Sequence, residues 1–283
     1  MQIPKSELII NEDGSIYHLR LKPNELASTI ITVGDPQRVD LISKHFDKIH
    51  LTRINREFKT VTGELNGQQI SIIATGIGTD NIDIVFNEID ALFNIDFESR
   101  EIKSNFSKIK FIRIGTSGAI REDIVLDSTI ISEYAVGLDG LLNFYKDKSE
   151  RIEELEVLFR KDTQIDFCYA VKASESLLKK FSHLGHNGIT TTATGFYGPQ
   201  SRNIRLDAKY SLPELLANSR YKDLKFTNLE METSGIYGLS SLLRHEAISI
   251  NAILANRVTG AFSKQASKTV EQLIQATLEI VCE

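Results

Sequence analysis

The sequence predicts an α/β protein, built as a single-domain three-layer α/β/α sandwich with a mixed central β-sheet. Short apolar runs typical of strands alternate with segments of helical periodicity along most of the 283 residues. The Asn66-Gly67 pair lies between two apolar runs and predicts a tight antiparallel hairpin, whereas helices separate most of the other runs. The sequence contains no internal repeat, low-complexity tract or linker-like segment, so we expect one domain over residues 1–283.

The first helix has the clearest start signal. Asp35 and Pro36 are residue types typical of a helix N-cap and of the first helical position. Apolar residues then follow at helical spacing from Val39 to Phe46, so a helix is predicted over 36–46.

The remaining elements follow from the apolar pattern in chain order. Strands are predicted at 29–33, 58–65, 69–74, 109–114, 128–134, 187–193, 225–229 and 248–256. Further helices are predicted at 80–94, 170–182, 233–246 and 265–281. Polar stretches at 95–108, 145–166 and 203–224 are expected to be additions, the second a solvated helix and the third a flap or covering loop.

The composition argues against several classes of function. Hydrophobic residues make up 41% and charged residues 25% of the chain, and the net charge of −5 disfavours a general nucleic-acid surface. No apolar run approaches the ~20 residues of a membrane helix, and the N-terminus lacks a signal-peptide core. Cys168 and Cys282 form no metal or redox motif, and His183 and His186 lack companion ligands, so we expect a cytoplasmic protein without a bound metal.

Arg113 lies at the end of an apolar strand, where a guanidinium needs a counter-charge. The segment Gly115-Thr116-Ser117-Gly118-Ala119 follows and is expected to form a turn that offers backbone N–H groups and hydroxyls. Together they predict a pocket for a small oxyanion, and phosphate fits best. An exposed arginine on an edge strand followed by an ordinary turn is the alternative.

Two more arginines lie beside predicted strand ends. Gly34 ends the first strand and permits close backbone approach, and Arg38 falls in the first turn of the helix that follows. Arg56 comes just before the strand at 58–65. With Arg113, these residues could form a phosphate site, although each arginine alone is more often a solvated surface charge.

The segment Glu230-Met231-Glu232 follows a strand and precedes a helix. Period-two geometry places the two carboxylates on the same side of an extended chain. A carboxylate that accepts two hydrogen bonds suits a ribose diol, and Met231 could line the apolar face of a sugar. A helix cap with a surface salt bridge is the alternative.

The loop at 194–202 combines an aromatic pair with polar groups. A planar base could pack on Phe196, while Gln200 offers a donor and an acceptor and Arg202 offers donors. That pattern complements uracil, although an aromatic-anchored surface loop would have the same composition.

Two familiar motifs are rejected. The glycines at 74–81 lack the third glycine and the acidic residue of a dinucleotide site, so they are interpreted as turn residues near the active site. The Gly115–Ala119 segment does not lead directly into a helix as a serine nucleophile elbow does.

Six motifs in order make the sequence resemble the nucleoside phosphorylase-I family, and within it the uridine-specific members. They are Gly-Asp-Pro-x-Arg at 34–38, Arg-Glu-Phe at 56–58, Thr-Gly-Ile-Gly at 75–78, Arg-Ile-Gly-Thr-Ser-Gly at 113–118, Glu-Met-Glu at 230–232 and Asn-Arg at 256–257. The stretch at 196–202 distinguishes uridine-specific from purine-specific members. The resemblance implies a nucleoside phosphorylase-like fold and reversible phosphorolysis of uridine, with phosphate as co-substrate and no cofactor.

The resemblance also implies a role for each matched residue. Phosphate would be bound by Gly34, Arg38, Arg113, Thr116 and, from a neighbouring subunit, Arg56. Ribose would be bound by Thr116, Met231, Glu232 and, across the interface, His18; uracil would be bound by Phe196, Gln200 and Arg202. Arg113, Gln200 and Arg202 would be catalytic, and the protein would be a homo-oligomer with active sites at the dimer interface.

Some features depart from the family pattern or leave alternatives open. Gly198-Pro199 reverses the usual order in the base loop, and Ala74 replaces the serine that accompanies Glu57 in members that bind a monovalent cation. Purine-specific members place an aspartate near the strand end where this chain has Asn256-Arg257. Another nucleoside phosphorylase, a nucleosidase that uses water, and a non-catalytic nucleoside-binding member remain alternatives, and the three arginines disfavour the nucleosidase.

Overall fold

The structure, a computed structural model, describes residues 2–146 and 151–283. The strands are β1 (Thr29–Val33), β2 (Lys48–Asn55), β3 (Phe58–Leu65), β4 (Gln68–Ala74), β5 (Ile95–Asp96), β6 (Glu101–Ile102), β7 (Lys110–Ala119), β8 (Thr129–Gly137), β9 (Tyr169–Lys172), β10 (His186–Thr192), β11 (Arg220–Tyr221), β12 (Leu224–Glu230), β13 (Glu246–Asn256) and β14 (Ala261–Phe262). The α-helices are α1 (Pro36–Ser43), α2 (Thr79–Asn94), α3 (Glu153–Thr163), α4 (Glu175–Phe181), α5 (Leu212–Leu215), α6 (Thr233–Leu242) and α7 (Ala266–Cys282).

The central sheet is mixed, as predicted. Its strand order is β11-β12-β10-β8-β13-β7-β1-β4-β3-β2. Strand β1 is parallel to β4 and β7, whereas β2, β3 and β4 are antiparallel neighbours, with the hairpin turn at Asn66-Gly67. Strand β12 also pairs with β7, so β7, β13, β8, β10 and β12 close into a small barrel.

Helix α2, which precedes β7 in the chain, and helix α6, which follows β12, pack in the apolar core beside this barrel. Phe86 of α2 packs on Phe111 of β7 with ring centroids 4.2 Å apart, and Ile82, Val85 and Ile89 on the same helix are fully buried. Each such side chain contributes about 1.5–3 kcal/mol when it leaves water. Helix α2 also contacts α6, so the core sets the positions of both helix starts.

Two predicted elements are wrong, and strand pairing explains both. The expected turn at Gly115–Ala119 is the second half of β7, because β13 runs beside it and pairs with it as far as Asn256. The expected helix at 170–182 begins as strand β9, which pairs with β8, and only Glu175–Phe181 is helical. Strand β2, an exposed edge strand, was not predicted.

The charged stretch at 145–166 contains helix α3, but this helix is not simply solvated. Glu156 is buried and is bound by Arg151 and Arg160, and it accepts a hydrogen bond from the backbone N–H of Ala170. Glu150, which was part of the predicted helix, lies outside the described residues. Among the described helices, none is long and apolar enough to cross a membrane.

Candidate active site

A cavity of about 590 Å³ opens where β1, β7 and β12 meet the starts of α1 and α6. It brings together all the predicted phosphate, ribose and base residues except Arg56 and His18. Those that line it are Gly34, Arg38, Arg113, Thr116, Phe196, Gln200, Arg202, Met231 and Glu232. A second cavity of about 770 Å³ lies beside residues 120–123 and 213–217 and is lined by a different set of residues.

Arg113 forms the centre of a buried ion cluster. The residue is 5% exposed, and Nη2 contacts Glu232 Oε2 closely and Glu230 Oε2 at 3.3 Å. Nη1 donates to Asn251 Oδ1 at 2.9 Å. Burial by itself would lower the pKa of Arg113, but Glu230 and Glu232 outweigh it and raise the pKa. Arg113 therefore stays charged, and its charge is compensated before any substrate binds.

The two carboxylates of the cluster also organise the start of helix α6. Glu230 accepts hydrogen bonds from the backbone N–H groups of Glu232 and Thr233 and from Thr192 Oγ1, at 2.6–3.1 Å. Glu232 Oε1 accepts from the N–H of Gly78 at 2.9 Å. Burial, together with the neighbouring Glu230, raises the pKa of Glu232, and Arg113 opposes that effect. The segment therefore caps a helix, as the alternative predicted, but its salt bridge is buried rather than at the surface. Ribose binding by Glu232 stays a prediction.

The glycine turn at 76–78 is a part of the site, as the sequence suggested. Gly76 and Gly78 have φ values of 72° and 96°, which favour glycine. The hydrogen bond from Gly78 joins the start of α2 to Glu232. Ile77, between the two glycines, lines the cavity.

The loop after β1 places a second cation at the cavity. Asp35 caps α1 by accepting from the N–H of Gln37 at 2.9 Å, and Pro36 takes the first helical position. Arg38 in the first turn donates to the carbonyl oxygen of Ile114 at 3.3 Å. Burial, followed by repulsion from Arg113, lowers the pKa of Arg38. Arg38 therefore adds a positive charge to the cavity beside the carboxylates of the Arg113 cluster.

The predicted base residues contact one another. Gln200 is 3% exposed, and its Oε1 accepts from Arg202 Nη1 at 2.8 Å. The guanidinium of Arg202 stacks on the Phe196 ring at 3.7 Å from its centroid, so it covers one ring face. Burial, with a contribution from nearby Arg257, lowers the pKa of Arg202 to about 10. Arg257 donates to the carbonyl oxygens of Gln200 and Ser201 and so holds the loop.

His18 and Arg56 lie together outside the cavity. His18 Nδ1 is 2.6 Å from Glu88 Oε1, and the backbone N–H groups of His18 and Leu19 also donate to this carboxylate. Arg56 is exposed and lies 5.6 Å from the centre of the Tyr17 ring. The structure therefore gathers both residues that were predicted to act across an interface into one accessible patch.

Sequence reasoning missed two residues of the site: Asn251, which binds Arg113, and Phe262, which lines the cavity. Glu230 and Ser117 were singled out only within their motifs, without a role of their own. In the structure Glu230 completes the ion cluster and Ser117 lines the cavity. Asn251 had no such signal, because a polar residue within a long apolar strand gives no clue to its partner.

A family model described as the phosphorylase superfamily matches residues 28–281. This chain belongs to the phosphorylase superfamily. It is 30% identical over 273 residues to the uridine phosphorylase of Thermococcus kodakarensis, a match that covers 96% of this chain and 88% of that protein.

Other members of the superfamily show how far the likeness extends. A purine nucleoside phosphorylase of the DeoD type from Buchnera aphidicola is 26% identical, with 94% of this chain and 99% of that protein covered. A solved Trypanosoma brucei nucleoside phosphorylase, described as showing uridine phosphorylase activity, is 30% identical and superposes with a TM-score of 0.86 over 94% of this chain and 98% of that chain. The predicted mixed α/β fold and family are confirmed.

Replacing Gly115 by Ala is expected to displace the Arg113 guanidinium. A Cβ at Gly115 would lie 1.7 Å from Arg113 Nη1 and 2.4 Å from Asn251 Oδ1, so the cluster would have to move. We expect a loss of about 1–3 kcal/mol in the free energy of unfolding, measured by denaturant titration. Gly198→Ala adds the same methyl group where, apart from the chain neighbours, no described atom lies within 4 Å, and its stability should equal that of the wild type. Equal stability of both variants would contradict the close packing over Gly115.

Arg113→Ala is expected to destabilise the protein because it leaves two buried carboxylates without their cation. The expected loss is about 3–5 kcal/mol in the free energy of unfolding at neutral pH. Adding Glu232→Gln to this variant removes one of the stranded charges and should restore part of the loss. If the double variant is less stable than Arg113→Ala alone, the cluster is not held together by charge.

Proposed function

We propose that this chain is a uridine phosphorylase, a pentosyltransferase that converts uridine and phosphate reversibly to uracil and ribose-1-phosphate, with deoxyuridine as a second substrate. The observation that carries the proposal is one cavity in which the Arg113 ion cluster and the loop of Phe196, Gln200 and Arg202 face the same space. The uridine phosphorylase from Thermococcus kodakarensis and the Trypanosoma brucei enzyme support it as relatives at 30% identity. We place the reaction in nucleoside catabolism and pyrimidine salvage.

The base loop would recognise uracil by its edge. Gln200 Oε1 holds Arg202 in place, which leaves the amide NH₂ as a donor and a second lone pair as an acceptor for the base. Arg202 supplies further donors for a carbonyl oxygen. One face of Phe196 is taken by Arg202, so the base would pack against the ring edge or its free face.

Ribose would lie beside Met231 and Glu232. Glu232 is the N-cap residue of α6, and the Gly78 N–H and Arg113 fix both of its oxygens before substrate arrives. A carboxylate held in this way can accept hydrogen bonds from the ribose hydroxyls without reorganisation. Thr116 lines the same cavity on the phosphate side.

Phosphate would be bound by Gly34, Arg38, Arg113 and Thr116, with Arg56 supplied by a second copy of the chain. Charge supports this division of the site. Arg113 faces two carboxylates, so the cluster is negative overall and Arg38 only balances it. A phosphate dianion needs a further cation, and Arg56 lies with His18 in an exposed patch that could reach a partner's cavity. The functional unit we propose is therefore a homo-oligomer with its sites at the dimer interface.

The chemistry would proceed by breakage of the C1′–N1 bond and attack by phosphate on C1′ from the opposite face. The electron pair of the broken bond moves to uracil, where Gln200 and Arg202 stabilise the charge, while Arg113 orients the phosphate oxygens. Positioning and fixed electrostatics supply most of the acceleration. We propose that no cofactor takes part, since inorganic phosphate is the attacking group.

Purine nucleosides are the competing substrate class, because purine-specific relatives also match the chain. Purine-specific members place an aspartate near the strand end where this chain has Asn256-Arg257, and here Asn256 uses its amide to donate to the carbonyl oxygens of Arg121 and Ile124. Its Oδ1 accepts from the N–H of Val258. A side chain engaged in this way supports a pyrimidine rather than a purine leaving group.

Reduced Cys168 and Cys282 are in keeping with a cytoplasmic location.

Uracil release from uridine should require inorganic phosphate and yield ribose-1-phosphate. The measurement is absorbance change on incubation with and without phosphate, with inosine and thymidine tested in parallel. Release without phosphate would indicate a nucleosidase. Cleavage of inosine in place of uridine would indicate a purine enzyme, and binding without cleavage a non-catalytic member.

Gln200→Ala and Arg202→Ala should each lower kcat/KM for uridine by roughly 10- to 100-fold, because each removes a hydrogen-bonding group from the departing base. Phosphate affinity, measured by calorimetry, should stay within about twofold of the wild type. Arg205→Ala, an exposed arginine in the segment that follows, serves as the matched control and should change neither quantity. Equal losses in uridine and phosphate binding would undo the base assignment.

A further inference from the structure

A continuous line of buried polar side chains follows the closed ring of strands from Arg113 to Ser117. After Arg113, it uses one residue on each of the other strands of the barrel. The members are Asn251 on β13, Ser132 on β8, Thr190 on β10 and Asn228 on β12, all fully buried, and the line ends at Ser117 on β7. Both ends, Arg113 and Ser117, line the cavity. We call these six residues the polar chain.

Successive members of the polar chain are hydrogen-bonded. Arg113 Nη1 lies 2.9 Å from Asn251 Oδ1, and Asn251 Nδ2 lies 3.2 Å from Ser132 Oγ. Ser132 Oγ and Thr190 Oγ1 are 2.6 Å apart, and Thr190 Oγ1 is 2.9 Å from Asn228 Oδ1. Asn228 Nδ2 completes the line at 2.9 Å from Ser117 Oγ.

The number of protons on each group requires every member of the polar chain to donate to the next one, from Arg113 towards Ser117. A guanidinium has donors and no acceptor, so Asn251 must present its oxygen to Arg113 and its NH₂ to Ser132. Ser132 accepts that bond, which leaves its one proton for Thr190. Thr190 therefore donates onward to the oxygen of Asn228.

The direction reaches the cavity at Ser117. Asn228 Oδ1 accepts from Thr190, so its NH₂ faces Ser117. Ser117 Oγ is then an acceptor on the protein side, and its own proton remains for a group in the cavity. If the Asn228 amide were flipped, its NH₂ would donate to Thr190, and Thr190 would have to donate to Ser132. Ser132 would then accept from both Asn251 and Thr190, and its own proton would have no acceptor within the polar chain. Aligned hydrogen bonds also polarise one another, beginning here from a charged donor.

We propose that the polar chain fixes the Ser117 hydroxyl as a hydrogen-bond donor to the nucleoside, and that Asn228 and Asn251 are the residues that position it. This inference rests on the proposed function, because it names the occupant of the same cavity. The nucleoside is the partner because Ser117 precedes Gly118, which pairs with Leu229, so Ser117 lies at the end of β7 that meets β12. The phosphate residues Gly34 and Arg38 follow β1, which pairs with residues 110–113 at the other end of β7.

Ser117→Ala removes the donor and should lower kcat/KM for uridine by about five- to tenfold, the worth of one neutral hydrogen bond. The KM for phosphate should be unchanged, and Ser117→Thr, which keeps the hydroxyl, should restore activity. Because Ser117→Ala also leaves the buried NH₂ of Asn228 without this acceptor, its thermal midpoint should fall by about a few degrees while the protein stays folded at the assay temperature.

Asn228→Asp tests the direction of the chain, because a carboxylate accepts from Ser117 and draws its proton away from the cavity. In the wild-type background this change should lower kcat/KM for uridine at least as much as Ser117→Ala. In the Ser117→Ala background it should have little further effect, since the donor is already gone. Equal effects of Asn228→Asp in both backgrounds would overturn the positioning role.

The remaining outcomes separate this inference from the proposed function. If the wild-type chain does not cleave uridine, the proposed function fails in that first assay. If the wild type is active and Ser117→Ala matches it, Ser117 donates nothing to the nucleoside. If Ser117→Ala raises the KM for phosphate instead, the assignment to the nucleoside is wrong.

Discussion

The burial of the Arg113 guanidinium between Glu230 and Glu232 is the interaction on which the site depends. A charge that is 5% exposed is stable only when carboxylates surround it, and each of these carboxylates has a second task. Glu230 caps α6, and Glu232 holds the turn before α2 through Gly78. One ion cluster therefore holds two helix starts, the end of β12 and the first half of β7 in a fixed relation, which is the preorganisation that electrostatic catalysis requires.

Closure of the sheet makes that burial possible. In the linear strand order, β12 and β7 are separated by β10, β8 and β13, and only their direct pairing at Gly118 and Leu229 brings Glu230 near Arg113. Gly115 completes the arrangement because the guanidinium occupies the space that a Cβ would fill. The pairing of β12 with β7 thus brings the carboxylates to Arg113, and Gly115 leaves room for the guanidinium. The ion cluster that results sets the shape of the cavity.

Elements with strong local signals were predictable from the sequence, and elements that depend on pairing were not. Asp35-Pro36 and Asn66-Gly67 set a helix start and a hairpin through backbone preferences that need no distant partner. The segment 115–119 has the composition of a turn but is extended, because β13 supplies hydrogen-bond partners along its whole length. Cavity residues were found because they lie in short motifs, whereas Asn251 was missed because its importance comes from a partner on another strand.

The separation of Arg56 from the cavity has a physical advantage in the proposed dimer. Burial and repulsion from Arg113 already lower the pKa of Arg38. A third arginine fixed at the same place would give the free site an unbalanced positive charge, at a cost that rises as water is excluded. An arginine that remains solvated on the surface, stacked near Tyr17, avoids that cost until a second copy and a phosphate dianion are both present. His18, anchored beside it by Glu88, would arrive with the same surface, so assembly would complete the anion site and the sugar site in one step.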